Sequence, residues 1–520
     1  MKILFNKYIG TSRILFLIAN IIILTLLIIG GVVYNSIDTK NLSQYYLPSE
    51  EFLDITKNRE LAIGCPVTEI RANGYKLIKN ENSGDWFYSL IDGNKNAKNP
   101  KLKFYTTNPD IKIASMNKQI NEEDIANNIP LKFAAYDDDS YYLFNITCTT
   151  LPVMSLKNGH VYLFDNRKNA VRRIFHSYAE YKPRGRFTKR FYLKKSLSLK
   201  LKTYSPGNSK RPLETSLLGL PKRSHWHLYA AYKDDTKIRN VFTSKLWKES
   251  CAHDNLFNLD NGYEYKFVEL FKDGQFEGLY ALGYPMSPKQ LGINLKKDEY
   301  MYKKSVRFEP FRIIKGNRPD NLKPVDEYVT GIINSHLSIS QLYENTDIIN
   351  AVDFWLFTNI AQLFDSAFDN SLVFHNIFYT RKKYKDGYKF MFTPWDLECS
   401  WGCFIFCRAN SPKGNLVMLT SPVYSLLSKE DDNIINIIND RYNYLRKHYW
   451  NEEFINPILD EYENNVFNSG AYIRERKRWP EGAYIKDTET KLTDFRKYVK
   501  ERLEGMDLFM VEFNKNPLIH

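Results

Sequence analysis

The stretch from Ala361 to Gly402 reads AQLFDSAFDNSLVFHNIFYTRKKYKDGYKFMFTPWDLECSWG. Asp369 is followed seven residues later by Asn376, and Asp396 stands in a Pro-Trp-Asp-Leu-Glu turn. Aromatic runs on either side of Lys-Asp-Gly predict a strand pair, NIFYTRKKYKDGYKFMFTPW. Phosphoryl transfer draws on such an inventory: a carboxylate to orient a hydroxyl, and an Asn and a second Asp to hold divalent cations. These acids and this amide are also the ordinary polar residues of loops, so the surrounding chain has to decide.

Outward from this pair the pattern is helical. Residues 351–364, 433–449 and 488–513 are the best amphipathic stretches after residue 320. Upstream, from 151 to about 285, strands dominate. YLFDN and AVRRIFHSYAEYK are strand-like, and YKFVELFKDGQFEGLYALGY reads as a hairpin around Lys-Asp-Gly. In KKSLSLKLK the alternation puts Leu197, Leu199 and Leu201 on one face and Lys194, Ser196, Ser198, Lys200 and Lys202 on the other. Residues 236–250 have helical periodicity. A mainly β half before a mainly α half predicts an α+β, two-lobed layout with a crevice suited to a nucleotide.

Residues 61–150 read as short alternating strands punctuated by Gly, Asn and Asp, expected as a small β domain of sandwich type. Residues 35–60 are polar and expected as a spacer. Ile14 to Val33, ILFLIANIIILTLLIIGGVV, holds no charge and is long enough to cross a bilayer as a helix. Lys2, Lys7 and Arg13 precede it. The positive flank predicts a cytoplasmic tail (1–13), an uncleaved signal anchor (14–34) and an extracytoplasmic remainder at the cell membrane. A cleaved signal peptide is the competing reading, but its apolar core is usually shorter.

The 520 residues carry a net charge of +13, with 43% hydrophobic and 15% aromatic content, the composition of a folded chain with ample core. Basic residues are dispersed, with a denser run over 182–202. Zinc-finger spacing and RNA-binding signatures are absent, so no nucleic-acid partner is expected. The six cysteines, Cys65, Cys148, Cys251, Cys399, Cys403 and Cys407, permit disulfides outside the cytoplasm. On a helix the last three would share a face, but the spacing is not that of a zinc knuckle.

An ordered series of segments over residues 151–485 resembles the CotH family, spore-coat-type secreted kinases with an atypical protein-kinase fold. LPVMSL is similar to its opening strand, and PRGRFTKRFYLKKSLSLKL to its RGR…KKxxRxK block. LLGLPKRSHWHLYAAYKDDTKIRN, FVELFKDGQFEGLY, MYKK and FTPWDLECSWG follow in the family's order. The resemblance implies an N-lobe over about 151–285 and a C-lobe over about 320–485; the amphipathic stretch beyond it predicts a C-terminal helix over 486–520. It implies ATP and Mg²⁺ or Mn²⁺ as cofactors, and a protein substrate phosphorylated on Ser or Thr.

Residue by residue, the resemblance assigns Arg184, Arg186, Lys194, Lys195 and Lys200 to the triphosphate, with Lys200 as the kinase-type lysine. It makes Asp369 the catalytic base, with Asp365 as the alternative, and Asn376, Asp396 and Glu398 the metal ligands. Trp395 is expected in the core. The chain departs from the family pattern at Ser198, where an arginine is usual, and at Tyr284, where a glutamate is usual. Those losses leave open a degenerate member acting as a surface scaffold. The acids Asp396 and Glu398 could also suit a carbohydrate-active enzyme, but two groups on one turn do not make opposed carboxylates.

Overall fold

The computed structural model describes residues 35–185, 187–203, 211–304, 311–314, 319–367, 376–404, 408–409, 411–485 and 491–518. The apolar segment 14–34, together with Arg186, Asp369 and Cys407, lies outside the described residues. Among those described, no helix is long and apolar enough to cross a membrane.

Two small sheets form the first unit. One is centred on Val67–Ala72 and Lys101–Thr106, the other on Trp86–Ser89, Leu131–Tyr136 and Ser140–Thr149. Their inner faces share one core, in which Ile70, Leu102 and Phe104 meet Trp86, Phe133 and Phe144, as in a sandwich. The expected spacer is part of this unit. Asn35–Ser36 and Lys40–Asn41 pair with Lys101–Thr106, Leu42 and Tyr45 enter the core, and helix Ser49–Lys57 buries Phe52 and Ile55. Those four apolar residues, scattered through a polar stretch, are what hold it to the sheets.

A closed seven-stranded barrel follows: β1 (Val153–Lys157), β2 (His160–Phe164), β3 (Ile174–Pro183), β4 (Leu197–Lys202), β5 (His225–Tyr229), β6 (Tyr265–Lys272) and β7 (Gln275–Gly283). The order is β1-β2-β3-β4-β5-β7-β6, closed by β1 on β6 in parallel. Leu197, Leu199 and Leu201 of β4 point inward, as their alternation predicts. The β6–β7 hairpin turns through Asp273 and Gly274, both at positive φ (51° and 80°), the conformation a two-residue turn of matching twist requires. Helix α1 (Arg239–Ser250) packs beside the barrel.

The second half combines helices with a sheet of order β9-β8-β10-β11, built from β8 (Tyr300–Lys304), β9 (Arg312–Ile313), β10 (Ile377–Tyr384) and β11 (Gly387–Pro394). Its principal helices are α2 (Ile348–Ile360), α3 (Phe364–Ala367), α4 (Asp432–His448), α5 (Ala471–Arg478) and α6 (Thr493–Lys515). Barrel, sheet and helices share one continuous apolar core, to which α6 contributes Phe495, Val499, Leu503 and Met506. The expected separate terminal helix is therefore part of this body. Cys399 lies in a turn and Cys403 in the short strand Cys403–Phe404, so the two do not share a helix face. Cys65, Cys148, Cys251 and Cys399 are free thiols.

The sandwich is fixed to the rest at α5. Gly470 (φ 71°) precedes that helix, and a Cβ there would stand 2.2 Å from the Ile125 carbonyl oxygen, so the contact admits only glycine. Arg474 donates to Asn128 Oδ1 (2.9 Å) in the sandwich and to Glu269 Oε1 (2.6 Å) in β6.

Candidate functional site

The site is assembled where β10 begins and β11 ends. Their antiparallel register sets Ile377 opposite Pro394, so Asn376 and Trp395 become neighbours although far apart in sequence. The Trp395 amide donates to the Asn376 carbonyl at 2.8 Å. Pro394 closes the strand, and Asp396 follows at φ 60°, with Asn376 at φ 62°. Asp and Asn are among the few non-glycine residues that adopt this left-handed region readily. Both candidate metal ligands thus sit at backbone turns that their own residue types permit.

The loop after Asp396 is pinned to α1. Leu397 N donates to Asn240 Oδ1 (3.2 Å), Ser400 Oγ lies 3.0 Å from Thr243 Oγ1, and Trp401 Nε1 donates to the same Thr243 oxygen (3.0 Å). Trp395 is buried, against Tyr263 (4.7 Å between ring centres), Phe378 (5.2 Å) and His227 (5.8 Å). Its expected place in the core is the observed one.

Carboxylates gather beside it. Asn376 Nδ2 reaches toward Asp365 Oδ2 at 3.5 Å, which brings α3 into the site. The Cys399 thiol is pushed far above its usual range by burial and by the nearby charges of Asp365, Glu398 and Asp396. Those acids therefore lie within electrostatic reach of one thiol. Among the described residues, no three His, Cys, Asp or Glu side chains close into a cage that would hold an ion alone. A Mg²⁺ site of the nucleotide type uses one or two carboxylates plus phosphate oxygens and water, so Asp396, Asn376 and Asp365 fit that role without a cage.

Cations approach the same tryptophan. Lys303 of β8 and Arg184 after β3 both approach the Trp395 ring, at 5.2 Å and 5.9 Å from its centre. Burial lowers the Lys303 ammonium to about 8, and the charge of Asp396 opposes that fall. Neither Lys303 nor Arg184 forms an ion pair among the described residues, which leaves donors for an anionic ligand. His225 is lowered to about 4, and His227 well below its usual range. Burial is the main cause for both; Lys200, Arg184 and Lys182 add to it at His225, and Arg184 and Lys303 at His227. Both rings are neutral at physiological pH beneath a positive field. His227 Nδ1 and Tyr229 Oη are buried polar atoms with no hydrogen-bond partner among the described residues.

The basic residues named by resemblance separate into distinct roles. Lys194 is fully buried, not on the polar face with Lys200. Its ammonium donates to the carbonyls of Ala230 (2.8 Å) and Leu279 (2.5 Å) and to Glu475 Oε1 (2.8 Å), so all its N–H donors are used internally. Lys195 Nζ donates to the Tyr192 carbonyl. Lys200 is exposed on the outer face of β4, opposite His225. Ser198 faces His227, two residues nearer to Trp395, or about 6.6 Å along the strand. Lys200 thus stands at the outer rim, and Lys303 is the lysine within electrostatic reach of Asp396. MYKK offered one clue: the lysines end a run, Tyr300 to Tyr302, that is buried on both faces. The proximity of Lys303 to Asp396 was invisible because it arises from the packing of segments distant in sequence.

The departures from the family pattern are accommodated locally. Ser198 Oγ lies 2.8 Å from His225 Nε2. Tyr284 is buried, and its hydroxyl accepts from Lys248 Nζ at 2.9 Å, outside the carboxylate cluster. A buried lysine–glutamate pair is present elsewhere, as Lys194–Glu475.

A family model described as CotH kinase protein matches residues 181–506. Comparison with curated proteins gives no match.

Proposed function

The chain belongs to the CotH kinase protein family, and from that premise we propose that it is an extracytoplasmic kinase, held at the membrane by residues 14–34, that transfers the ATP γ-phosphoryl group to protein Ser or Thr. The observation that carries the reading is the meeting of acids and cations at Trp395. Asp396 and Asn376 adjoin this residue, with Asp365 near Asn376, and Lys303 and Arg184, without ion pairs among the described residues, approach its ring. Phosphoryl transfer asks for that arrangement, because its catalysis is mostly positioning and charge neutralisation.

In this reading Asp396 and Asn376 hold Mg²⁺ or Mn²⁺, with Glu398 or Asp365 completing the set. A bound ion would supply charge neutralisation to the triphosphate. Lys303 and Arg184 bind the triphosphate, and the buried Trp395 fixes their spacing. Asp369, or Asp365 in its place, orients the acceptor hydroxyl. Lys194 acts through the barrel: with Glu475 it holds the start of β4 and the Leu279 amide in place.

A second reading, a degenerate member acting as a surface scaffold, rests on Ser198 in place of the arginine. One experiment separates the two. Full-length protein in detergent is incubated with γ-labelled ATP, Mn²⁺ or Mg²⁺ and an acceptor protein, beside Asp396→Asn. Label transfer that disappears in the variant supports the kinase. No transfer, together with no ATP-dependent rise in Tm, supports the scaffold.

A further inference from the structure

His227 stands in the middle of β5 with a buried ring nitrogen, Nδ1, that has no hydrogen-bond partner among the described residues. Its cross-strand neighbours account for this. On one flank Ser198 is opposite, but its hydroxyl is engaged with His225 Nε2 at 2.8 Å. On the other flank Gly283 is opposite and brings no side chain. A Cβ there would stand 2.2 Å from the Tyr265 ring, so none can be accommodated. His225 and Trp395 meet the imidazole edge to face, at 5.3 Å and 5.8 Å between ring centres.

The charged side chains within electrostatic reach of the ring are Arg184 and Lys303. Both approach the same Trp395 ring, and neither forms an ion pair among the described residues. Guanidinium and ammonium groups donate hydrogen bonds and accept none. Burial holds the imidazole neutral, so it keeps one N–H donor and adds no charge beside the cations. Three donor-bearing groups thus meet at one tryptophan with no acceptor among them. Buried polar atoms are normally satisfied, and an oxyanion would satisfy these three together. We propose that His227 binds the triphosphate directly, donating Nδ1–H to a phosphate oxygen shared with Arg184 and Lys303. The proposal rests on the kinase reading for the identity of the anion. It adds a neutral donor to a site that the sequence assigned to arginines and lysines alone.

The test uses full-length protein in detergent and three variants. His227→Asn places an amide N–H near the position of Nδ1, His227→Gln places one near Nε2, and His227→Leu supplies none. Isothermal titration measures Mn²⁺-ATP, Mn²⁺-tripolyphosphate and adenosine on each. His227→Leu and His227→Gln are expected to weaken ATP and tripolyphosphate by about tenfold, the worth of one hydrogen bond to a charged group. His227→Asn should retain most of the affinity, and nucleotide-free Tm should change little, because the free protein loses no hydrogen bond. Equal affinities in all variants overturn the proposal. So does an equal loss in His227→Asn and His227→Gln accompanied by a fall in nucleotide-free Tm, which makes the ring structural. A loss confined to adenosine overturns it in favour of a nucleoside contact. If tripolyphosphate binding follows Nδ1 but no phosphate is transferred from ATP, the contact stands and the kinase reading fails. If transfer occurs and no variant changes affinity, the kinase reading stands and the contact fails. No binding of ATP or tripolyphosphate by the unmodified protein overturns both.

Discussion

Lys194 and Glu475 are 281 residues apart in sequence and meet at 2.8 Å with both side chains wholly removed from solvent. Glu475 Oε2 also accepts from the Leu279 amide at 2.9 Å, and Tyr280 lies beneath the ammonium, 4.3 Å from its ring centre. One carboxylate of α5 thus fastens the approach to β4 and the middle of β7. Burial pulls the lysine below its usual range, and Glu475 opposes that fall. Removing one partner would strand the other charge in a medium that cannot solvate it.

Glu475→Gln or Lys194→Met alone is expected to cost about 3–5 kcal/mol, read from urea unfolding. Lys194→Met combined with Glu475→Leu should lose less than the sum of the single changes, because no charge remains buried. Additive losses would show that the pair is not coupled.

Lys303→Ala should abolish the ATP-dependent rise in Tm, whereas Lys200→Ala should leave it nearly intact. The physical difference is position: Lys303 approaches the Trp395 ring within electrostatic reach of Asp396, and Lys200 stands about two residues farther out on β4. Differential scanning fluorimetry with Mn²⁺-ATP decides it. A large loss at Lys200 with none at Lys303 would reverse the assignment.

ATP affinity should fall as pH rises through about 8, because Lys303 must be protonated to bind phosphate and its folded value is lowered to about 8. The contribution of this group to folding runs the other way. Below about 8 the buried cation imposes its full cost, and stability contributed by this group rises between about 8 and 10.5, where the unfolded chain still holds the proton. Lys303→Arg keeps its charge over that range, so the pH dependence of ATP affinity should flatten in isothermal titrations.

Asp396→Asn should keep the backbone at φ 60°, since Asn accepts the left-handed region, while removing a metal ligand. Phosphate transfer is expected to fall by at least about 100-fold, with Tm of the nucleotide-free protein little changed. Asp396→Val, which strains the same turn, should lower that Tm as well. A Tm loss as large in Asp396→Asn would mean that the carboxylate is structural.

Several features were written in the chain locally. The leucine alternation of β4, the Asp-Gly turn of the β6–β7 hairpin and the amphipathic helices α4 and α6 each follow from residues a few positions apart. Asn376 and Asp396 were legible because a two-strand hairpin with a short turn must bring its outer ends together. The place of 35–60 was less visible, because four apolar residues in a polar stretch leave no period.

What the sequence by itself determined was therefore whatever a short-range period or turn can encode: strand faces, hairpins, helices and the residue types at the turn ends. The tertiary structure alone decided which lysine is a ligand candidate and which is a strut. Lys194 and Lys200 lie on one short basic run, but the seventh residue along it faces solvent and the first faces Glu475 from the far end of the chain. The free energy of a charge depends on what surrounds it in space, and for Lys194, Lys303 and Asp396 those surroundings come from segments that sequence distance does not connect.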